Sequence, residues 1–536
     1  MSGFLRKFGL IGLLSATVSG CSRESAEQTA ETTKSGAPRA TSAMSATDHG
    51  GAGAQAHESS AQDSSSAENS NAAVPREGDE SDAGAGPAGA GNSGAAGDTE
   101  GTGGAGAAGS AAPNDESDAG SSAVVPSGTV DDANFVFDPA RVQTYEIKVG
   151  PEDLARIDRN PSAEELVMAS VSVNGELIEP VGFRYKGSGG AFVIPCTDNP
   201  ESGFEGPKVG KCSMKIEFDE YDKSARYHGL KKLNLHSMGH DTSLMRERLG
   251  YALFRDMGVA ASRAAYARIV INGQLEGVFL AVEQVDGRFT RDNFKDGGEG
   301  NLYKEVWPVS DQPESYRSAL ESNKGATTDV TKMQRFAAAI QSDPNAADTW
   351  LDREYMLHYI AVDRVIINDD GIFHWYCWPA GRKGFPDALI GNHNYYWYED
   401  TKSDRMALIP WDLDDSFRGD TKLFIDVEWS ATSSSCECHA GGGYVLRTAT
   451  CDPLTAQLAT WRSDYETVVD QFLAGPFSEG EVAKKLDAWA LQARPLVEEV
   501  AGAHRAPDRA AWQQGLQEFK DIVSEARKNR GYPYQR

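Results

Sequence analysis

The stretch YARIVINGQLEGVFLAVE, residues 266 to 283, reads as two β-rich runs, Tyr266 to Ile271 and Gly277 to Glu283, around the dipeptide Asn272-Gly273. Asn-Gly suits the tight reversal of a hairpin between such runs. Working outward, Ser213-Met214-Lys215-Ile216-Glu217-Phe218 alternates cleanly, with Met214, Ile216 and Phe218 on one face and Lys215 and Glu217 on the other, the pattern of a half-buried strand. Thr144 to Val149, Ala169 to Val173, Gly182 to Lys186 and Lys232 to Leu235 read as further strands. The last of them precedes a helix over Ser243 to Asp256, where Leu244, Leu249, Leu253 and Phe254 recur at helical spacing. From Asp329 onward helices dominate, with Tyr355 to Ile367 amphipathic and several helical segments between Leu454 and Lys528. Two short β-like runs, Asn394 to Tyr398 and Met406 to Leu413, are joined by the polar turn Glu399 to Asp404. The pattern predicts an α+β fold with strands first and helices later.

The chain of 536 residues begins differently. Arg6 and Lys7 precede the apolar run Phe8 to Val18, too short to span a bilayer but suited to a secretory h-region. Val18-Ser19-Gly20-Cys21 resembles a bacterial lipobox, whose Cys thiol takes the lipid; cleavage as an ordinary signal peptide is the alternative. Residues 1–21 are thus predicted as a lipoprotein signal peptide, and residues 22–131, rich in Ala, Gly, Ser and acids, as a disordered tether that cannot bury enough surface to order itself. The folded region, 135–536, is about 400 residues, enough for two intimate lobes.

A net charge of −27 disfavours nucleic acid and anionic membrane as partners and is compatible with a basic segment on a protein. If Cys21 carries lipid, six cysteines remain, an even number that predicts disulfides in an oxidising compartment. The pairing stays open, and Cys436, Cys438, His439 and Cys451 offer a zinc site as the alternative.

The strongest chemical constellation is Ile409-Pro410-Trp411-Asp412-Leu413-Asp414-Asp415, where Asp412 and Asp414 alternate with apolar neighbours and would share one side of an extended segment, a good hard-cation site. Asp414 also reads as a turn former or an arginine partner. Asn368-Asp369-Asp370-Gly371 and His393-Asn394-Tyr395-Tyr396 bring acid and amide groups on two further loops. Either Asp369 or Asp370 could simply cap a turn before Gly371.

These blocks, with Arg184 to Ser188, Lys211 to Asp219, Leu233 to Leu235, Asp241 to Glu247, Ile271 to Gly273, Glu283 to Asp286 and Gly300 to Lys304, occur in the order that resembles the CotH (spore coat protein H) family of atypical kinases. The resemblance implies a kinase-like two-lobe fold, with a β-rich N-lobe over about 135–302 and a helical C-lobe over about 303–536. It also implies transfer of the γ-phosphoryl of ATP to serine or threonine of an extracytoplasmic protein, with Mg²⁺ or Mn²⁺. By the same resemblance Lys215 would pair with phosphate and Glu247 orient it, Lys186 would approach phosphate beside the turn containing Gly189 and Gly190, and Glu283 would lie at the adenine-contacting hinge. Asp412, with Asn394 and Asp414, would hold metal, and Asp370 would be the catalytic Asp. One departure stands out: Phe373 to Gly391, carrying His374-Trp375-Tyr376-Cys377-Trp378, intervenes between the catalytic Asp segment and the block at His393. Two rivals remain, a non-catalytic binding or assembly module of the cell envelope, and a metal-dependent hydrolase using Asp370, Asp412 and Asp414.

Overall fold

The computed structural model describes residues 132–187, 196–197, 210–378, 389–417, 429–432, 435–441, 444–500 and 508–531. The predicted signal peptide, Cys21, the tether and the pair Gly189 and Gly190 lie outside the described residues.

After the short helix α1 (Ala133–Val136), seven strands close into a barrel in the order β1-β2-β3-β4-β5-β7-β6. They are β1 (Gln143–Val149), β2 (Val167–Val173), β3 (Glu176–Lys186), β4 (Ser213–Glu217), β5 (Lys232–His236), β6 (Ala264–Ile271) and β7 (Gln274–Glu283), with helix α2 (Pro151–Arg159) between β1 and β2 and α3 (Arg246–Asp256) between β5 and β6. Every pairing is antiparallel except the closing one, in which β1 runs parallel to β6. The Asn272-Gly273 turn has both residues at positive φ, 49° and 80°, as a tight hairpin requires. Asn272 also seals the barrel: its side-chain oxygen accepts from the Val149 amide and its NH₂ donates to the Val149 carbonyl, both at 2.9 Å.

Alternation sorts the strands into an inside and an outside. Tyr145, Ile147, Val171, Phe183, Met214, Ile216, Leu233, Leu235, Ile269 and Phe279 belong to one buried cluster within the barrel. On the outside, Tyr266, Leu280 and Val282 join a larger core that includes Leu249, Leu253 and Phe254 of α3 and most of the buried apolar residues described after β7. The helix α3 begins at Arg246 and not at Ser243, because Leu244 sits at φ 64° and Asp241 caps the entry, accepting from the amides of Ser243, Met245 and Arg246.

Downstream come α4 (Gly287–Asn293), β8 (Leu302–Lys304), α5 (Pro313–Arg317), α6 (Thr331–Ser342), α7 (Ala346–Trp350), α8 (Arg353–Val365), β9 (Trp375–Trp378), β10 (Leu389–Gly391), β11 (Tyr395–Asp400) and β12 (Arg405–Pro410). The chain continues through β13 (His439–Gly441), β14 (Tyr444–Arg447), α9 (Pro453–Ala459), α10 (Arg462–Ala474), α11 (Glu479–Glu499) and α12 (Arg509–Lys528). Two small sheets form among them, β12-β11-β8 and β10-β9-β14-β13. The fold class is therefore α+β, as expected, but the early strands form a closed barrel, which alternation alone did not foretell.

The six remaining cysteines pair as Cys196–Cys212, Cys377–Cys438 and Cys436–Cys451. The thiols of the alternative zinc site are thus all engaged in disulfides. Among the described residues no helix is long and apolar enough to cross a membrane.

Candidate functional site

The outward face of β3, β4 and β5 is basic. Lys215 lies in register between Arg184 on β3 and Asn234 on β5, and Lys186 and His236 occupy the ends of their strands on the same face. Burial, with Arg184, Lys186 and Lys232 nearby, pushes the Lys215 amine down to about 7. Burial also lowers Lys186, although Asp412 and Glu247 pull it back toward its charged form. The Lys186 ammonium lies 5.5 Å from the Trp411 ring centroid and 2.6 Å from His236 Nε2, while His236 Nδ1 stands 2.7 Å from Glu247 Oε1. An ammonium can only donate, so Nε2 accepts and Nδ1–H donates to Glu247. The expectation that Glu247 would orient Lys215 is replaced by a Lys186–His236–Glu247 chain.

Ligand atoms of His236, Glu247 and Asp412 come within 4.8 Å of one another, a spacing that could hold a metal ion. Lys186, hydrogen-bonded to His236 and drawn by Asp412 and Glu247, supplies a positive charge to that triad already.

The acidic wall is built by the turn after β12. The extended run stops at Pro410; Asp412 turns left-handed at φ 53° and Leu413–Asp415 coil into a 3₁₀ turn. Asp412 and Asp414 therefore do not share one side of an extended segment, as the alternation had suggested. Two contacts explain the turn: the Asp412 amide donates to Tyr251 Oη at 3.0 Å, and Leu413 packs on Gly250 of α3, where a Cβ would come within 3.1 Å of Leu413 Cδ1. Burial, followed by the charges of Asp412, Asp415, Glu247 and Asp370, pushes the Asp414 carboxyl well above the usual carboxylate range. A carboxyl raised by so many neighbouring acids fits a divalent cation, which would replace the missing countercharge.

The third loop follows α8. Ile367 turns left-handed at φ 54°, and Asp363 receives Arg364 Nε and Asn368 Nδ2, both at 2.8 Å. Gly371 passes so close that a Cβ there would lie 2.5 Å from Asn368 Nδ2 and 2.8 Å from Asp363 Oδ1. This clamp separates the two acids. Asp369 lies 3.6 Å from His374, whereas Asp370 accepts from Tyr376 Oη at 2.5 Å, His393 Nε2 at 2.9 Å and Asn394 Nδ2 at 2.9 Å. Burial alone would raise Asp370, but His393 and its other donors hold it below the ordinary value. Burial likewise opposes charge on His393, yet Asp370 pushes it up to about 9.

The structure thus brings together Lys186, Glu247, Asp370, Asn394, Asp412 and Asp414, with Lys215 on the adjoining strand face. The Asn394 NH₂ is engaged with Asp370, and its side chain also bonds His393. The Glu283 carboxylate is buried and held by Arg263, which donates through its backbone amide at 3.1 Å and Nε at 2.9 Å, with Arg288 at 3.6 Å. The neighbouring Gln284 reaches Asn234 and Tyr396 instead. Sequence reasoning singled out the segments that hold His393 and Tyr376 without giving either a role, and missed His236 and Tyr251. His236 was readable as the residue two beyond Asn234 on the same strand face; Tyr251 carried no comparable signal.

The family described as CotH kinase protein is matched over residues 184–530. The chain is 22% identical over 279 residues to the inner spore coat protein H of Bacillus subtilis (strain 168), covering 49% of this chain and 71% of that relative. It is 44% identical over 94 residues to an inner spore coat protein H-like protein of the same organism, 18% of this chain and 29% of that relative.

Proposed function

Because the chain belongs to the CotH kinase protein family, we propose that it is an extracytoplasmic protein kinase, transferring the γ-phosphoryl of ATP to a serine or threonine hydroxyl of a protein. The observation that carries this reading is a pair of opposed walls, Lys186 and Lys215 on the barrel face and Asp370, Asp412 and Asp414 on the loops. In this reading the barrel with α3 serves as the N-lobe of a kinase-like pair of lobes, and ATP lies between it and the helical remainder.

Phosphoryl transfer asks the protein mainly for positioning and charge stabilisation. Lys186 and Lys215 would hold phosphate oxygens, with Lys186 fixed by His236 and Glu247. Asp412 and Asp414, helped by the Asn394 amide, would hold Mg²⁺ or Mn²⁺, which when bound neutralises phosphate charge. Asp370 would take the proton of the acceptor hydroxyl as its oxygen bonds to the γ-phosphorus and the bond to the ADP oxygen breaks. The acidic chain suits a basic, Ser/Thr-rich acceptor segment. Three disulfides support an oxidising compartment, and the lipobox-like Cys21 would anchor the chain to a bacterial membrane, at the outer membrane or cell surface.

The test is incubation with labelled ATP and Mg²⁺ or Mn²⁺, beside Asp412→Ala, following label on the protein and on a basic serine-containing peptide. Label lost in the variant supports the reading. No label in either, with no nucleotide-induced rise in melting temperature, favours the non-catalytic envelope module, a rival supported by the three donors that already occupy Asp370.

A further inference from the structure

The inserted segment approaches the candidate base directly. In phosphoryl transfer to an alcohol, the acceptor hydroxyl must donate to the base at hydrogen-bond distance before its proton moves. A hydroxyl is already there: Tyr376 Oη donates to Asp370 Oδ1 at 2.5 Å. His393 Nε2, at 2.9 Å, takes the other position on the same oxygen, and Asn394 holds Oδ2. Without Tyr376, His393 and Asn394 still contact one carboxylate oxygen each.

Tyr376 also comes from a different body of structure. His393 and Asn394 lead into β11 of the β12-β11-β8 sheet, whereas Tyr376 lies on β9 of the other small sheet, in register with Gly391 and Leu446. The next residue, Cys377, is cross-linked to Cys438. The Tyr376 ring packs between two imidazoles, His374 at 4.4 Å and His393 at 5.1 Å between centroids. Its strand neighbours Trp375 and Cys377 are buried, whereas Tyr376 is only partly buried and the Asp370 side chain it meets keeps 20% of its surface accessible.

We propose that Tyr376 occupies the seat of the acceptor hydroxyl on Asp370, acting as a gate that a protein acceptor must displace and that denies water the same position. The proposal rests on the phosphotransfer reading of this site. It makes the insertion a determinant of acceptor choice: a protein segment with contacts beyond its hydroxyl can move Tyr376, whereas water or a small alcohol cannot.

The experiment compares the full chain, Tyr376→Phe, Tyr376→Leu and Asp370→Asn, each with ATP and Mn²⁺ or Mg²⁺. It reads ADP release without acceptor, label transfer to a basic serine-containing peptide, and thermal melting. Phe keeps the ring between the two imidazoles and removes only the oxygen, and Leu serves if Phe fails to fold. Removing a hydrogen bond to a charged acceptor should raise acceptor-free ADP release about tenfold and lower the peptide KM by a similar factor, with melting lowered by no more than a few degrees. Activity that depends on Asp370 but is unchanged or lowered in both Tyr376 variants overturns the gate alone and makes Tyr376 a positioning residue. No ADP from any chain overturns the phosphotransfer reading and the gate with it.

Discussion

Replacing His236 by Ala tests the Lys186–His236–Glu247 chain most directly. His236 is 5% exposed and Glu247 is 2% exposed, so neither partner is relieved by water when the other is removed. Glu247 Oε1 takes its hydrogen bond from His236, and Oε2 has no partner among the described residues. The variant therefore leaves a buried carboxylate without a donor, and Lys186 without its 2.6 Å acceptor. One lost hydrogen bond to a charged group is worth about 1.5–3 kcal/mol. Stranding a buried charge raises the expected loss to about 3–5 kcal/mol. Urea unfolding followed by tryptophan fluorescence would measure it, with an unchanged m-value showing that the transition is the same one. In a double-mutant cycle with Glu247→Leu, the pair should lose less than the sum of the singles by about 1.5–3 kcal/mol, because the leucine leaves no charge to strand. A His236→Ala cost below about 1 kcal/mol, or singles additive to within about 0.5 kcal/mol, would refute the argument.

Three further outcomes follow from the same geometry. Lys215, pushed to about 7, is partly neutral at neutral pH, and bound polyphosphate favours its charged form; nucleotide affinity should therefore fall as pH rises above 7. The limit is about tenfold per pH unit, and Lys215→Met should flatten the dependence in calorimetric titrations between about pH 7.5 and 9. Asp414→Asn removes the carboxyl on which the neighbouring acids bear, so the metal-free chain should gain about 1 kcal/mol, a melting rise of a few degrees, while the rise caused by added Mn²⁺ is lost. Gly250→Ala drives a Cβ to 3.1 Å from the fully buried Leu413, so overpacking should cost about 1–3 kcal/mol by urea unfolding and weaken Mn²⁺ stabilisation through the displaced Asp412–Asp414 turn.

Local pattern made most elements readable. The β6–β7 hairpin followed from Asn272-Gly273 and β4 from the alternation of Met214, Ile216 and Phe218, whereas α8 forms where a helix was expected but is buried on every side from Tyr359 to Val365 and so is not amphipathic there. The ordered motif blocks also led to the CotH kinase protein family, matched over residues 184–530. Where prediction from the chain failed, long-range contacts had overridden local pattern. Asp412 and Asp414 looked strand-like until Tyr251 and Gly250, some 160 positions earlier, folded their backbone into a left-handed turn.

By itself, then, the sequence determined which residues could be strand, helix or ligand, because hydrophobic period and turn chemistry act over neighbouring positions. Only the tertiary structure decided that the strands close into a barrel, that Glu247 reaches Lys186 through His236, and that Asp370 and not Asp369 joins the acid cluster. Each of those outcomes depends on partners far apart in the chain: β1 against β6, β3 against α3 through β5, and Asp370 against His393 and Asn394. Burial then sets their charges, a quantity that no local pattern carries.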